Sequence, residues 1–436
     1  MITTSPSLGF TQTGFEAFLE SRNEPVWLKD FRREAWDSFG EMKWPAPNEE
    51  EWFRTDLRMF NLDRYAPSAD VAHEFEPVGL LTEGVELGGQ STAINGRPLP
   101  SQLAEKWTKQ GVLFGSLDEL INQHDALIRP HLMRRAVLPT HDRFSALHAA
   151  FWSGGHLLYV PRGVVVTEPL HALSVIADKG SDLGHTLVIL EDGAEATLMS
   201  ETLSPSEETQ GFHCGATEIL LGSGSNLRYV SLQNWGMGVW HFAHQKAVVG
   251  RDASLQWTIG AMGAKLAKVN QHVELAEPGA NCQVNGTMFT EGKQHLAYNT
   301  LQHHAAPNCT SDLLYKAALQ DRSRTVWRGM IKVDQRAVKT DGYQRNDNLL
   351  LSPNARADSI PGLEIKADDV RCTHGATSGR IDEELIFYAR CRGYTRREAT
   401  RMIVTGFFQQ VYDRITIESV REAMGRAIAR RVREYE

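Results

Sequence analysis

The 436-residue chain holds only five cysteines, Cys214, Cys282, Cys309, Cys372 and Cys391, and none of them forms a C-x-x-C pair. Thiols so few, odd in number and widely spaced exclude a disulfide framework and suit a reducing compartment. The missing pairs argue against a zinc ribbon or a preformed cysteine-rich cluster site. No apolar run approaches the roughly 18 residues needed to cross a bilayer. The opening MITTSPSLGF has neither the charged n-region nor the apolar h-region of a secretory signal. A basic excess is lacking too: the formal net charge of −8 argues against a nucleic-acid partner. Nor is there a Walker motif. Gly222-Ser223-Gly224-Ser225 is followed by no Lys-Ser/Thr and no helix, which makes it a turn and not a phosphate loop. These absences lead to the expectation of a cytoplasmic protein with no membrane and no nucleic-acid partner.

What is present is an ordinary globular composition, 42% hydrophobic and 23% charged. Residues 1–140 read as helical, then mixed. Phe15–Arg22 is short and amphipathic, and Trp27, Leu28, Phe31, Ala35, Trp36 and Phe39 recur near helical spacing after Pro25, with a resumption expected over Glu49–Leu57. From about 141 to 375 the text becomes short β-branched runs between turn clusters: Asp192-Gly193, Ser223-Gly224, Arg251-Asp252, Pro278-Gly279, Pro307-Asn308 and Gln335-Arg336. The interval is about 28 residues, the range of a solenoid repeat. Such units bury an inner face only by stacking. A mainly β chain with a parallel β-helix core is therefore predicted, with Ala196, Leu227, Leu255, Cys282 and Val338 pointing inward and a helical domain over 376–436. Helices after 381 are expected to cap one flank of the coil, leaving the other edge open as a dimer surface.

The richest stretch is Asp368–Phe408. Cys372 and His374 lie two apart, so on a strand they share a face. Thiolate and imidazole suit iron–sulfur intermediates and other soft metals; the competing reading is a small buried hydrophobe beside a hydrogen-bonded histidine. Two helices follow. Asp382, Glu383 and Glu384 favour the start of the first, Gly393 ends it, and Thr395 with Glu398 forms a capping box for the second. Leu385, Ile386, Phe387 and Tyr388 are interleaved with Arg390, Arg392, Arg396 and Arg397, and Val420, Met424, Ala427 and Val432 mark a terminal amphipathic helix.

HGATSGRIDEELIFYARCRGYTRREATRMIVTGF resembles the terminal signature of the SufB/SufD scaffold proteins of iron–sulfur cluster assembly. EEEWFRTDLRMFNLDRY at 49–65 and GGHLLYVPRGVVVTEPLH at 154–171 resemble the family's N-terminal element and its entry into the β core, in the family's order. The resemblance implies a right-handed parallel β-helix with a helical domain at each end. It implies a non-catalytic subunit that works with a SufB-type scaffold and a SufC-type ATPase. ATP sits on that partner, and the nascent cluster or iron is held at a shared interface, with nothing bound stably by the chain alone. Within the family the D-type branch is implied. Where the B-type paralogue carries a sulfur-receiving cysteine and an acidic residue after the matching histidine, this chain has Asn346 and Gly375. By the same resemblance His374, with Cys372, is the cluster-, metal- or sulfur-handling pair. Phe387, Tyr388, Arg392, Arg396, Arg397 and Phe407 belong to the ATPase-docking region.

Alternatives are a B-type or homodimeric scaffold and, from another class, a carbohydrate-active β-helix enzyme. The latter would show paired acids on one rung face, which are not evident. His295, His303, His304 and Cys309 form a histidine-rich run; adjacent His303 and His304 face opposite ways on a strand, and lining or exposed roles are favoured over ligation. His241 and His244 read as structural, since their spacing suits a metal only on a helix.

Overall fold

A computed structural model describes residues 9–67, 77–177 and 179–432. Its centre is a parallel β-solenoid whose strands alternate between two sheets. The first sheet runs from Gly89–Ile94 through Leu170–Val175, Glu195–Leu203, Asn226–Asn234, Ser254–Ala261, Asn281–Thr290, Thr310–Leu319 and Thr340–Leu350 to Val370–Arg380. The second runs from His156–Val160 through His185–Leu190, Gln210–Leu221, Gly238–Val249, Leu266–Leu275, His295–His304 and Arg324–Val333 to Arg356–Ile365.

The recurring turn residues form one corner of this coil. Gly163, Gly193, Gly224, Asp252, Gly279, Asn308 and Lys339 all have positive φ. Each donates its backbone N–H to a carbonyl of the next corner, from Gly193 to Ser223 (2.8 Å) through Asn308 to Val338 (3.0 Å) and Lys339 to Asp369 (2.6 Å). The left-handed conformation favours Gly and Asn, and space reinforces it: a Cβ on Gly279 would lie 1.9 Å from Asp252 Oδ1.

Inside, register stacks like positions. Ala196, Leu227, Leu255, Cys282, Ser311, Gly342 and Cys372 are successive partners in one column. Leu198, Tyr229, Trp257, Val284, Leu313, Gln344 and His374 form the next. Leu227, Leu255 and Cys282 are buried as expected, but Val338 is not. It precedes the left-handed Lys339 at the corner, outside the strand, and projects to solvent; Gly342 takes the interior position.

Helices cover part of each sheet's outer face. Gln12–Ser21, Val26–Glu41 and Arg143–Phe151 pack over the second sheet, with Phe151, Phe144, Phe212 and Phe242 in one core. Arg396–Tyr412 and Glu418–Arg431 lie over the first, burying Val404, Phe408, Val420 and Met424 against Val230, Leu232 and Phe289. A buried glutamate fastens each cover. Glu201 accepts from the Leu80 and Leu81 amides (2.7 and 3.1 Å), and Glu218 from those of Met133 and Val137 (2.6 and 2.9 Å).

Two expectations are corrected. Arg396–Tyr412 and Glu418–Arg431 do not cap an edge; their apolar stripe matches the apolar outer face of the first sheet, so they lie along it. Residues 49–57 form a run of turns, not a helix. There Trp52 stacks on Phe144 at 5.5 Å, and that tertiary contact outweighs local helical spacing.

Candidate functional site

Among the described residues the solenoid ends on Arg356–Ile365 and Val370–Arg380, which pair with a neighbour on one side only. Their residues are mostly half-buried or exposed, whereas the strands behind them are largely buried. Cys372 and His374 sit on the last strand and continue the two interior columns, so they share a face as expected. Among the described residues no further turn covers them.

The two differ in surroundings. Cys372 is half-buried against the Ile331–Val333 cluster. Its Sγ lies over the space left by Gly342, 3.3 Å from where a Cβ would stand. Burial, and to a lesser degree the Asp341 carboxylate, pushes the thiol above its usual range, against a backbone hydrogen bond from Gly342 that lowers it. In the free chain this cysteine is a thiol, not a ready thiolate. His374 is exposed.

Behind this pair the interior turns polar. Gln344, Asn346 and Asn348 follow one another inward along Thr340–Leu350. Asn346 is buried, and its Oδ1 accepts from Asn348 Nδ2 (2.9 Å) and Ser359 Oγ (2.5 Å). Asn348 Nδ2 also reaches Ser378 Oγ at 3.2 Å. Asn346, Asn348, Ser359 and Ser378 are linked by these bonds and join both sheets at the open end.

The residues expected to dock the ATPase divide into two groups. Leu385, Phe387, Tyr388, Tyr394 and Met402 are exposed. Arg392 stacks on the Tyr388 ring, 3.3 Å from its centroid. Arg396 is held by Glu383 (2.8 Å), and Arg397 Nε by the Val432 carbonyl (3.3 Å). Phe407 instead packs toward the first sheet, where Lys316 bonds its carbonyl at 2.9 Å. It is a strut beneath the helix and not part of its exposed face.

The histidine-rich run is dispersed. His304 points inward and meets Ser311 Oγ at 2.8 Å, Cys309 is buried at a corner, and His295 begins its strand beside Arg324. His241 also points inward and receives Trp235 Nε1 at 3.0 Å. His244 faces outward, 3.0 Å from Asp142, the cap of Arg143–Phe151. His303 faces outward, 3.1 Å from Asp334.

The sequence reading missed a polar chamber within the solenoid, lined by Ser174, Asp182, Ser200, Thr202, His213, Ser231, Gln233 and His241. Burial raises the Asp182 carboxyl to about 7, against a hydrogen bond from the Gly184 backbone that lowers it. Burial and the neighbouring His241 keep His213 well below its usual value. Polar residues at inward, every-second positions such as Ser231 and Gln233 were the signal for it.

Comparison with known proteins agrees with this architecture. The family model described as "SUF system FeS cluster assembly, SufBD core domain" matches residues 174–407. The one described as "SufBD protein N-terminal region" matches 15–172. The chain is 27% identical over 427 residues to the iron–sulfur cluster assembly protein SufB of Bacillus subtilis, covering 94% of this chain and 90% of that protein. SufBD family proteins of Staphylococcus haemolyticus and Staphylococcus aureus are 26% and 25% identical over 428 residues, with the same coverage. A solenoid flanked by helices, with family models matching nearly its whole length, places this chain in the SufBD family of iron–sulfur cluster assembly proteins.

Proposed function

We propose that this chain is a SufD-type, non-catalytic subunit. It joins a SufB-type scaffold through its open solenoid end, and a SufC-type ATPase docks on its C-terminal helices in the cytoplasm. The observation that carries the reading is the last turn, where among the described residues two strands lack an outer neighbour and His374 stands exposed on an interior column. An unpaired strand edge is a ready template for another chain. Asn346 supports the D-type branch. Its amide is buried and engaged in hydrogen bonds and cannot accept sulfur as a cysteine would. The exposed Leu385, Phe387 and Tyr388 beside arginines have the aromatic and cationic character of a protein interface. In this scheme His374 offers an imidazole to iron or to a sulfur intermediate as cargo, and Cys372 assists.

Co-expression with the two partner subunits tests this. His374→Ala is expected to leave the melting temperature and complex yield nearly unchanged while lowering iron and sulfide content several-fold. Normal cluster content in an assembled His374→Ala complex would overturn the assignment, and loss of assembly would make the histidine structural. The similarity to a protein named SufB supports a second reading, a B-type or homodimeric scaffold. Under that reading the chain alone assembles cluster without a second scaffold subunit, which the same metal and sulfide analysis distinguishes.

A further inference from the structure

On the outer face of the second sheet, three neighbouring side chains offer a different chemistry. His272 and Glu274 lie two apart on Leu266–Leu275, and Glu274 is paired in register with His303 on His295–His304. One ligand atom from each residue lies within 4.8 Å of the others. The His272 and His303 rings are 5.9 Å apart and tilted by 31°. His272 Nε2 is buried and makes no hydrogen bond among the described residues. An orphaned imidazole nitrogen beside a second imidazole and a carboxylate has an obvious physical use. From this juxtaposition we propose that His272, Glu274 and His303 form a binding site for a divalent transition metal of the iron(II) or zinc(II) class.

The donor set decides the class. Two histidines and one carboxylate, with positions left open, suit iron(II) and zinc(II). Magnesium and calcium call for a shell of oxygens, which this face does not provide. The surrounding charges sharpen that choice. Lys246 Nζ sits 2.7 Å from Glu274 Oε2, and Lys332 is the register neighbour of His303. A cation attracted by charge alone gains little between two lysines, so binding here depends on nitrogen donation. Asp334 lies 3.1 Å from His303 Nε2 without a formed hydrogen bond, close enough to become the carboxylate partner that orients a metal-bound imidazole. Lys246 is the resident counter-ion of Glu274, and an incoming metal displaces it. The adjoining depression, lined by His141, His244, Lys246 and His272, gives access from solvent.

A second trio, His141, Asp142 and His244, is near by, but Asp142 caps the helix Arg143–Phe151 and is bonded to His244. It fastens the helix to the sheet. The proposed site carries no such duty, so its residues can be changed without undoing the fold. It also stands apart from the open end of the solenoid and does not depend on the D-type reading.

The test is titration of the full-length, metal-free chain with cobalt(II) under anaerobic conditions, followed by its visible ligand-field bands and by calorimetry, then competition with iron(II), zinc(II) and magnesium. One cobalt is expected to bind. His272→Ala, Glu274→Gln and His303→Ala should each weaken it by about tenfold or more, with metal-free melting temperatures close to the parent's. Lys246→Met should tighten it, because the competing cation is gone, and this gain is not produced by a variant that merely misfolds. Iron(II) or zinc(II) should displace the cobalt, and magnesium should not. The proposal is overturned if the parent binds no cobalt, if the three variants bind as the parent does, or if only His141→Ala and His244→Ala abolish binding.

Discussion

In the middle of the solenoid one interior column holds Leu227, Leu255 and Cys282, and its neighbour holds Tyr229, Trp257 and Val284, all buried. At the open end the same columns hold Gly342 with Cys372 and Gln344 with His374. Backbone geometry and register are the same in both regions. What changes is whether another turn lies on top. In this apolar stretch a covered position favours apolar bulk, because burial there is worth about 25 cal/mol for each Å² of apolar surface, and polar side chains such as Ser311 and Gln344 enter only nearer the end. An uncovered one is free to carry groups that bind, and the end of the coil is where the fold stops constraining chemistry.

The comparison breaks most severely at Leu255. Leu255→Asp removes a leucine from the core and puts a carboxyl with no partner in its place, which even when protonated costs several kcal/mol, a large part of the 5–15 kcal/mol that holds a typical protein together. The variant should be insoluble or unfolded by circular dichroism, and a soluble, cooperatively melting Leu255→Asp protein would refute the packing described.

A smaller effect lies in the polar chamber, where an interior position already carries an acid. The Asp182 carboxyl is raised to about 7 by burial, against about 3.9 in an unfolded chain. Its favourable contribution is full below about pH 4 and is lost as pH rises through about 7, since between these values the folded state holds the extra proton. Asp182→Asn should therefore gain stability relative to the parent as pH rises from 4 to 8, with an upper bound of about 4 kcal/mol. Denaturant midpoints at several pH values read this directly; a difference that does not vary with pH would show that the carboxyl is not held neutral.

The smallest effect is also the most direct comparison, since it uses one substitution in one column. Cys282→Ser buries a hydroxyl between Leu255 and Ser311 and should cost about 1–3 kcal/mol. Cys372→Ser, half-buried at the end, should cost less than about 1 kcal/mol. Equal losses in thermal melts would mean that the last turn is as constrained as the middle.

Much of this was legible in the amino-acid text. The corner residues announced the repeat because left-handed backbone favours few residue types, and the helix caps at Asp382 and Thr395 stand where their side-chain chemistry put them. Cys372 and His374 share a face because the strand period dictates it. The failures have a common cause. Val338, residues 49–57 and the placement of the C-terminal helices all turned on which surfaces meet in three dimensions, and local spacing does not encode that. The trio His272, Glu274 and His303 was invisible for the same reason. His303 had been noticed, but its partners lie a full turn earlier in the chain, and only register brings them together.

The corner ladder, finally, bears on how this chain can change its length. Each left-handed residue donates to the corner one turn ahead, so the coil is fastened at whole-turn intervals. Losing or gaining a single residue within a strand would turn every later side chain in that strand to the opposite face and detach the corner that follows. Removing or duplicating one complete turn would leave both the columns and the fastenings matched. Variation in length should therefore accumulate in steps of one full turn, or in the outward loops, and not in fractions of a turn.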